Sequence, residues 1–266
     1  MTGPVREAAS GPGRVAVGTT AAQGRDGGGG AAPGLTVDIR AKRFGAATVL
    51  GPLAFALARG QRAALLGPSG VGKSTLLSLL AGLDAAFDGR IERPAGRIAM
   101  VFQQPRLLPW RTLAQNIALI PGAGDIDRAR ALLAEVGLGH AADMHPERVS
   151  LGMQRRAALA RALAVSPDLM LMDEPLASLD PDNAAAMRRL IADALRRTAA
   201  TALIATHDRR EALALTDRLI EIGHPAPGAP ATILRDRPNP LPPEARADPA
   251  AVEAAAAQWT AQADRA

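Results

Sequence analysis

The chain reads as an α/β fold around a parallel sheet, and three features of its sequence predict this. Apolar runs at 63–66, 98–102, 169–172 and 202–205 lack a polar face, as strands buried on both sides do. Helical patterns at 128–136 and 184–196 alternate with them. A glycine-rich segment, Gly67 to Gly72, joins the first run to a helical run at 74–80, the strand–loop–helix order that sets a loop over the end of a sheet.

Composition agrees with a folded domain and removes several classes of function. The 266 residues are 48% hydrophobic, enough to fill a sizeable core. The sequence has no cysteine, which excludes disulfides, thiolate metal sites and a thiol nucleophile. Net charge is +5, yet only Lys42 and Lys73 of the 31 basic residues are lysines, and alanine, glycine and proline are abundant as well. That pattern follows genome composition, and with 2% aromatics it offers no platform on which bases would stack. No apolar stretch reaches the ~18 residues that cross a bilayer, and the first 33 residues lack the charged-then-apolar order of a signal peptide, so a cytoplasmic chain is expected.

Residues 1–33 are glycine- and alanine-rich without apolar periodicity, and are expected to form a disordered leader. Alternation at Leu35, Val37, Ile39 and again at Leu53, Phe55, Leu57 marks half-buried strands at the start of a domain spanning 34–224. The remaining 225–266, proline-rich and then alanine-rich with Trp259, are expected to be a weakly docked tail. No internal repeat is visible.

Two motifs carry chemistry. Gly67-Pro68-Ser69-Gly70-Val71-Gly72-Lys73-Ser74, followed by Thr75, fits a phosphate-binding loop: backbone N–H groups curl around an anion at a helix N-terminus, Lys73 neutralises the β- and γ-phosphates, and the Ser74 hydroxyl ligates Mg²⁺. A nucleoside triphosphate is the predicted ligand. The apolar run 169–172 ends in Asp173-Glu174, where ligands of open α/β sheets bind. Asp173 would hold Mg²⁺ and Glu174 would polarise the attacking water as general base, although an acidic pair taken alone is also a common solvated strand end.

Further segments follow in a set order: Phe102-Gln103-Gln104-Pro105, Ser150-Leu151-Gly152-Met153, Ser178-Leu179-Asp180 and Thr206-His207-Asp208. Together with the two motifs they resemble the ATP-binding subunit of ABC transporters, over residues 35–223. The resemblance implies an α/β P-loop NTPase core with a parallel sheet, an N-terminal antiparallel β portion and a helical subdomain inserted at 104–160. It implies ATP with Mg²⁺, Phe44 stacked on adenine, Gln103 sensing Mg²⁺ or the attacking water, and His207 reaching the γ-phosphate to orient water and Glu174. Ser150 and Gly152 would address the γ-phosphate of ATP on a second ATP-binding subunit, expected to be an identical copy, with Asp180 in the connecting D-loop.

The same resemblance implies a peripheral protein on the cytoplasmic face of the inner membrane. Its 104–150 segment would receive a transmembrane permease, which in turn works with an extracytoplasmic solute-binding protein. The string Pro105-Arg106-Leu107-Leu108-Pro109-Trp110 resembles the nitrate, sulfonate and taurine importer branch. Two bland readings stay open: Phe44 as a strand-edge core residue and Trp110 as a core anchor. Arg155, Arg156 and Arg161 read as solvated or packing charges. The signature departs from the family's L-S-G-G-Q at Leu151 and Met153. Competing functions are a soluble ABC ATPase of DNA repair or translation and a small-molecule kinase. A single phosphate loop, the absence of cysteine and the 103–112 segment disfavour the first; the signature and His207 disfavour the second.

Overall fold

The computed structural model describes residues 33–263. The expected leader therefore lies outside the described residues, apart from Pro33, which opens the first strand. The strands are β1 (Pro33–Phe44), β2 (Ala47–Leu50), β3 (Leu53–Ala58), β4 (Arg62–Leu66), β5 (Asp88–Glu92), β6 (Ile98–Val101), β7 (Leu169–Asp173), β8 (Thr201–Thr206), β9 (Arg218–Gly223) and β10 (Thr232–Pro238). The helices are α1 (Lys73–Leu80), α2 (Leu113–Ala118), α3 (Ile126–Glu135), α4 (Leu151–Leu163), α5 (Pro181–Thr198), α6 (Arg209–Leu215) and α7 (Pro249–Ala263).

Two sheets carry these elements. In the antiparallel sheet the long β1 pairs with β3, with β5 over its middle, and with β2 over its last residues. The larger sheet runs β10-β9-β4-β8-β7-β6, all parallel except β10. Its central strands β4, β7 and β8 are largely apolar and buried because successive side chains face opposite covered layers. In β4, Ala63 and Leu65 meet Leu76, Leu77 and Leu80 of α1 under the antiparallel sheet, while Ala64 and Leu66 meet Ala212 and Leu213 of α6. In β7, Leu169 and Leu171 join the first layer, whereas Met170 and Met172 pack with Met187, Ile191 and Leu195 of α5.

Between β6 and β7 the chain leaves the sheet and builds a helical region with its own core, in which Leu113 and Ile117 of α2, Leu133 of α3 and Ala157 and Ala160 of α4 are buried together. Side-chain caps start these helices. Thr112 and Gln115 form a reciprocal capping box on α2, and Asp125 and Ser150 accept from N–H groups in the first turns of α3 and α4.

The weakly docked tail expected after residue 224 is corrected here. β10 pairs along β9 from Thr232 opposite Gly223 to Pro238 opposite Arg218, and Pro238 is tolerated because it ends an edge strand. Helix α7 lays Val252, Ala255, Ala256 and Trp259 on Ala64, Leu66, Ala212, Leu213 and Leu219. The prolines of this segment punctuate short elements, and α7 hides its buried face because alanines fill both of its sides.

Candidate active site

The phosphate-binding loop bridges β4 and α1, and its shape depends on residues with no freedom to change. Gly72 is the N-cap of α1 at φ 110°, where a Cβ would lie 2.6 Å from Leu50 Cδ2. At Gly67 a Cβ would meet the carbonyl oxygen of Ile222 at 2.6 Å. Val71, predicted in the nucleotide-binding loop, has its side chain in the core between the sheets and so anchors the loop from below; only its backbone remains for the ligand side.

A cleft of about 300 Å³ opens above this loop. Ser69, Gly70, Gly72, Lys73, Ser74, Thr75, Gln103, Glu174 and His207 line it, so residues more than 130 positions apart in the sequence converge as predicted. Val49 also lines it, a residue that its place in a short strand gave no reason to single out. The Lys73 ammonium, nearly buried, donates to the carbonyls of Gly67 (2.7 Å) and Pro68 (3.1 Å) and lies 3.2 Å from Glu174 Oε1. Glu174 Oε2 lies 2.7 Å from His207 Nδ1. The three form a continuous chain across the cleft.

Glu174 itself is strained. Its φ of +48° is left-handed, a conformation that costs a non-glycine residue ~1–3 kcal/mol and tends to occur at functional sites. Two backbone bonds hold it there, Glu174 N–H to Ala205 O (2.8 Å) and Ala177 N–H to Glu174 O (3.2 Å). Behind it Asp173 is buried beside Ser74, whose hydroxyl hydrogen-bonds the carboxylate. Burial pushes the Asp173 carboxyl above its ordinary range, and the Ser74 bond acts in the opposite direction. Its Oδ1 has no partner among the described residues. An orphaned carboxylate oxygen next to a hydroxyl fits Mg²⁺, which takes few protein oxygens and completes its shell with water and phosphate.

The remaining predicted residues lie outside the cleft lining. Phe44 is 53% exposed, which corrects the reading of it as a core residue. Lys42 Nζ sits 4.5 Å from the ring centroid, locked by Asp84 Oδ2 (2.6 Å) and Ala86 O (2.8 Å). The sequence reading did not single out Lys42 as a partner of Phe44, although its rarity and its place two residues before Phe44 were available signals. Ser150 accepts from Met153 N–H (3.2 Å) as the cap of α4. Leu151 is 44% exposed, so it does not pack into the helical region. A Cβ on Gly152 would make only ordinary contact with Asn183 at 3.4 Å, so among the described residues no contact requires glycine there. Asp180 caps α5 by accepting from Asn183 N–H (3.1 Å) and Nδ2 (2.7 Å).

Arginines of α4 pack as expected. Arg155 reaches the carbonyls of Ala177 and Gln103, and Arg161 donates to Pro105 O (2.9 Å) and Arg106 O (2.7 Å), so the segment carrying Gln103 is clamped through its backbone. Trp110 is 68% exposed, which rules out the core anchor. Buried Asn116 holds the loop that presents it, bonding Leu108 at both N–H (2.7 Å) and O (3.1 Å) and also Arg111 O (3.1 Å). A second, larger cleft of about 440 Å³ lies on the far side of His207, against Arg210 of α6 and Glu253 and Ala256 of α7.

Among solved structures, a dimeric ATP-binding cassette in a post-hydrolysis state with ADP and phosphate is similar, with a TM-score of 0.66 at 24% identity, covering 78% of this chain and 99% of that one. It supports the fold. The family pattern described as ABC transporter matches residues 50–177. The aliphatic sulfonates import ATP-binding protein SsuB 2 of Paracoccus denitrificans is 43% identical over 74% of this chain and 81% of its own length. SsuB 1 of Pseudomonas syringae pv. syringae is 42% identical over 82% of this chain and 92% of its own. Identity at that level over most of both sequences, on a fold with the phosphate loop, acidic strand end and histidine brought to one cleft, means that this chain belongs to the ABC transporter family.

Proposed function

We propose that the chain energises the import of aliphatic sulfonates through a separate membrane permease. As a member of its family it is an ATPase. The observation that carries the catalytic reading is the Lys73–Glu174–His207 chain across the cleft, with the orphaned Asp173 oxygen and the Ser74 hydroxyl beneath it. Lys73 exchanges its loop carbonyls for the β- and γ-phosphates of ATP, which frees Glu174 Oε1 to accept the proton of the attacking water. His207 holds the other carboxylate oxygen and orients Glu174 toward that water. Ser74 and Asp173, with Gln103 at the mouth, would hold Mg²⁺, which when bound neutralises charge on the phosphates.

Phe44, backed by Lys42, presents an exposed ring face to the adenine. Ser150 and Gly152 act on nucleotide held by a second copy, which accounts for a glycine that this chain's own packing does not demand. Trp110 and the loop pinned by Asn116 face the permease, leaving the protein peripheral on the cytoplasmic face of the membrane. Among the described residues no helix is long and apolar enough to cross it. Aliphatic sulfonates, the class to which taurine belongs, are favoured over nitrate because the relatives are aliphatic sulfonates import proteins. Their role in import also disfavours a repair, translation or kinase function.

The test is phosphate release from MgATP by the purified chain, followed by ATPase stimulation in the complex with its permease on addition of an alkanesulfonate, taurine or nitrate. Stimulation by nitrate alone would overturn the sulfonate reading; no phosphate release with or without the permease would overturn the whole.

A further inference from the structure

Glu211 is a buried ionisable residue to which the site described so far assigns no task. It lies in the first turn of α6, 2% exposed, and its Oε2 accepts a hydrogen bond from Thr206 Oγ1 at 2.6 Å. The same Thr206 oxygen accepts from the N–H of Asp208 at 3.0 Å. Thr206 and Asp208 flank His207, so one hydroxyl ties together the residues on either side of the histidine, and the Glu211 carboxyl fixes that hydroxyl. The imidazole needs such support, because its side chain is 56% exposed and its polar contact among the described residues is Glu174 Oε2.

We propose that Glu211 is a positioning residue that acts through Thr206 to hold His207 against Glu174. The idea rests on the ATPase reading of the cleft and adds a residue to it. Four charged groups from four segments face the carboxyl: Glu174 after β7, Asp208 at the cap of α6, Arg188 on α5 and Arg155 on α4. Its Oε1 is buried without a partner among the described residues. Burying a carboxyl with one oxygen unpaired is costly, and an apolar side chain would fill the site more cheaply if packing were its only purpose. What an apolar side chain cannot supply is the acceptor for Thr206.

The experiment compares Glu211→Leu, Glu211→Gln and Thr206→Val in the full chain. Glu211→Leu removes the acceptor, and kcat should fall about tenfold to a hundredfold, the range that misplacing a reacting group produces, with KM for ATP unchanged. Glu211→Gln keeps an acceptor oxygen and should retain at least half of kcat. Thr206→Val should match Glu211→Leu, and the double variant should be no worse than either single. Independently of turnover, the ¹⁵N-detected imidazole signals of His207 should move toward those of a free histidine in Glu211→Leu and stay put in Glu211→Gln, with His140, His145 and His224 as internal references.

Unmoved His207 signals in a folded Glu211→Leu, or a kcat loss shared equally by Gln and Leu, would overturn the proposal. If Glu211→Leu does not fold, Thr206→Val carries the test by the same two readouts. Absence of ATPase in the wild-type chain would instead refute the underlying activity, while the imidazole spectra would still decide the positioning.

Discussion

Replacing Trp259 tests whether the C-terminal helix is part of the domain. The side chain is 8% exposed and packs with Val252, Ala255 and Ala256 over Ala64, Leu66 and Leu213. Truncating a buried Trp to Ala costs ~3–5 kcal/mol. Part of that is returned here, because Trp259 Nε1 is buried with no partner among the described residues, and an orphaned donor costs ~1–3 kcal/mol. Alanine is also the better helix former, by a few tenths of a kcal/mol. The net expectation for Trp259→Ala is a loss of about 2 kcal/mol. Trp259→Phe keeps most of the apolar volume while deleting the orphaned N–H, so it should fall within about 1 kcal/mol of the parent. Urea unfolding followed by far-ultraviolet circular dichroism reads both, since at an m of ~2 kcal/mol/M the Ala variant shifts its midpoint by about 1 M. Equal losses for Phe and Ala would refute the reasoning by showing that the indole N–H has a partner. No loss for Ala would mean that α7 does not brace the sheet.

Four further outcomes are expected. Glu174→Gln should bind ATP normally in a filter or fluorescence assay while phosphate release falls ~10²–10⁴-fold, the range for a lost general base; Lys73→Ala should instead raise the dissociation constant for ATP, having removed the charge beside the phosphates. Burial, with Glu174 and Asp208 nearby, raises the Glu211 pKa from 4.5 to about 8, so the folded chain keeps a proton that the unfolded chain releases. Stability therefore falls as pH climbs from 4.5 to about 8, by ~1.4 kcal/mol per unit of displacement, and Glu211→Gln should flatten urea midpoints measured across that window; parallel profiles would contradict the assignment. In the assembled transporter Leu151→Gly should leave ATPase within about twofold, because that side chain is half-exposed at the start of α4; a rise of tenfold, about 1.4 kcal/mol of barrier, would show that the leucine restrains closure.

How much of this was legible in the sequence depended on whether a residue's role was set by its neighbours in the chain. β4, β7 and β8 were readable because both of their faces are apolar, and Ser150 reads as a helix cap from local pattern, whereas the capping role of Asp180 on α5 emerged only in the fold. β5 was not, since Asp88-Gly89-Arg90 is exposed and polar, and the segment is a strand only because β1 offers it an edge. Glu174 sits in a left-handed conformation that nothing in Asp-Glu-Pro announces, and it is held there by the carbonyl of Ala205 on another strand.

Lys42, Glu211 and Trp259 show the same limit from the side of burial. Lys42 is a rare lysine whose ammonium is buried because Asp84 and Ala86 arrive from a distant loop. Glu211 follows Asp208-Arg209-Arg210 and looks like an exposed helix charge, yet α6 rolls it under α5 and onto the end of β8. Trp259 finds its place on strand β4, almost the whole domain away in sequence. The chemistry of the cleft is written in short motifs because phosphate and metal contacts need particular atoms in a particular local order. The supports that hold those motifs in register are assembled from charged and aromatic residues whose surroundings exist only once the sheet has formed.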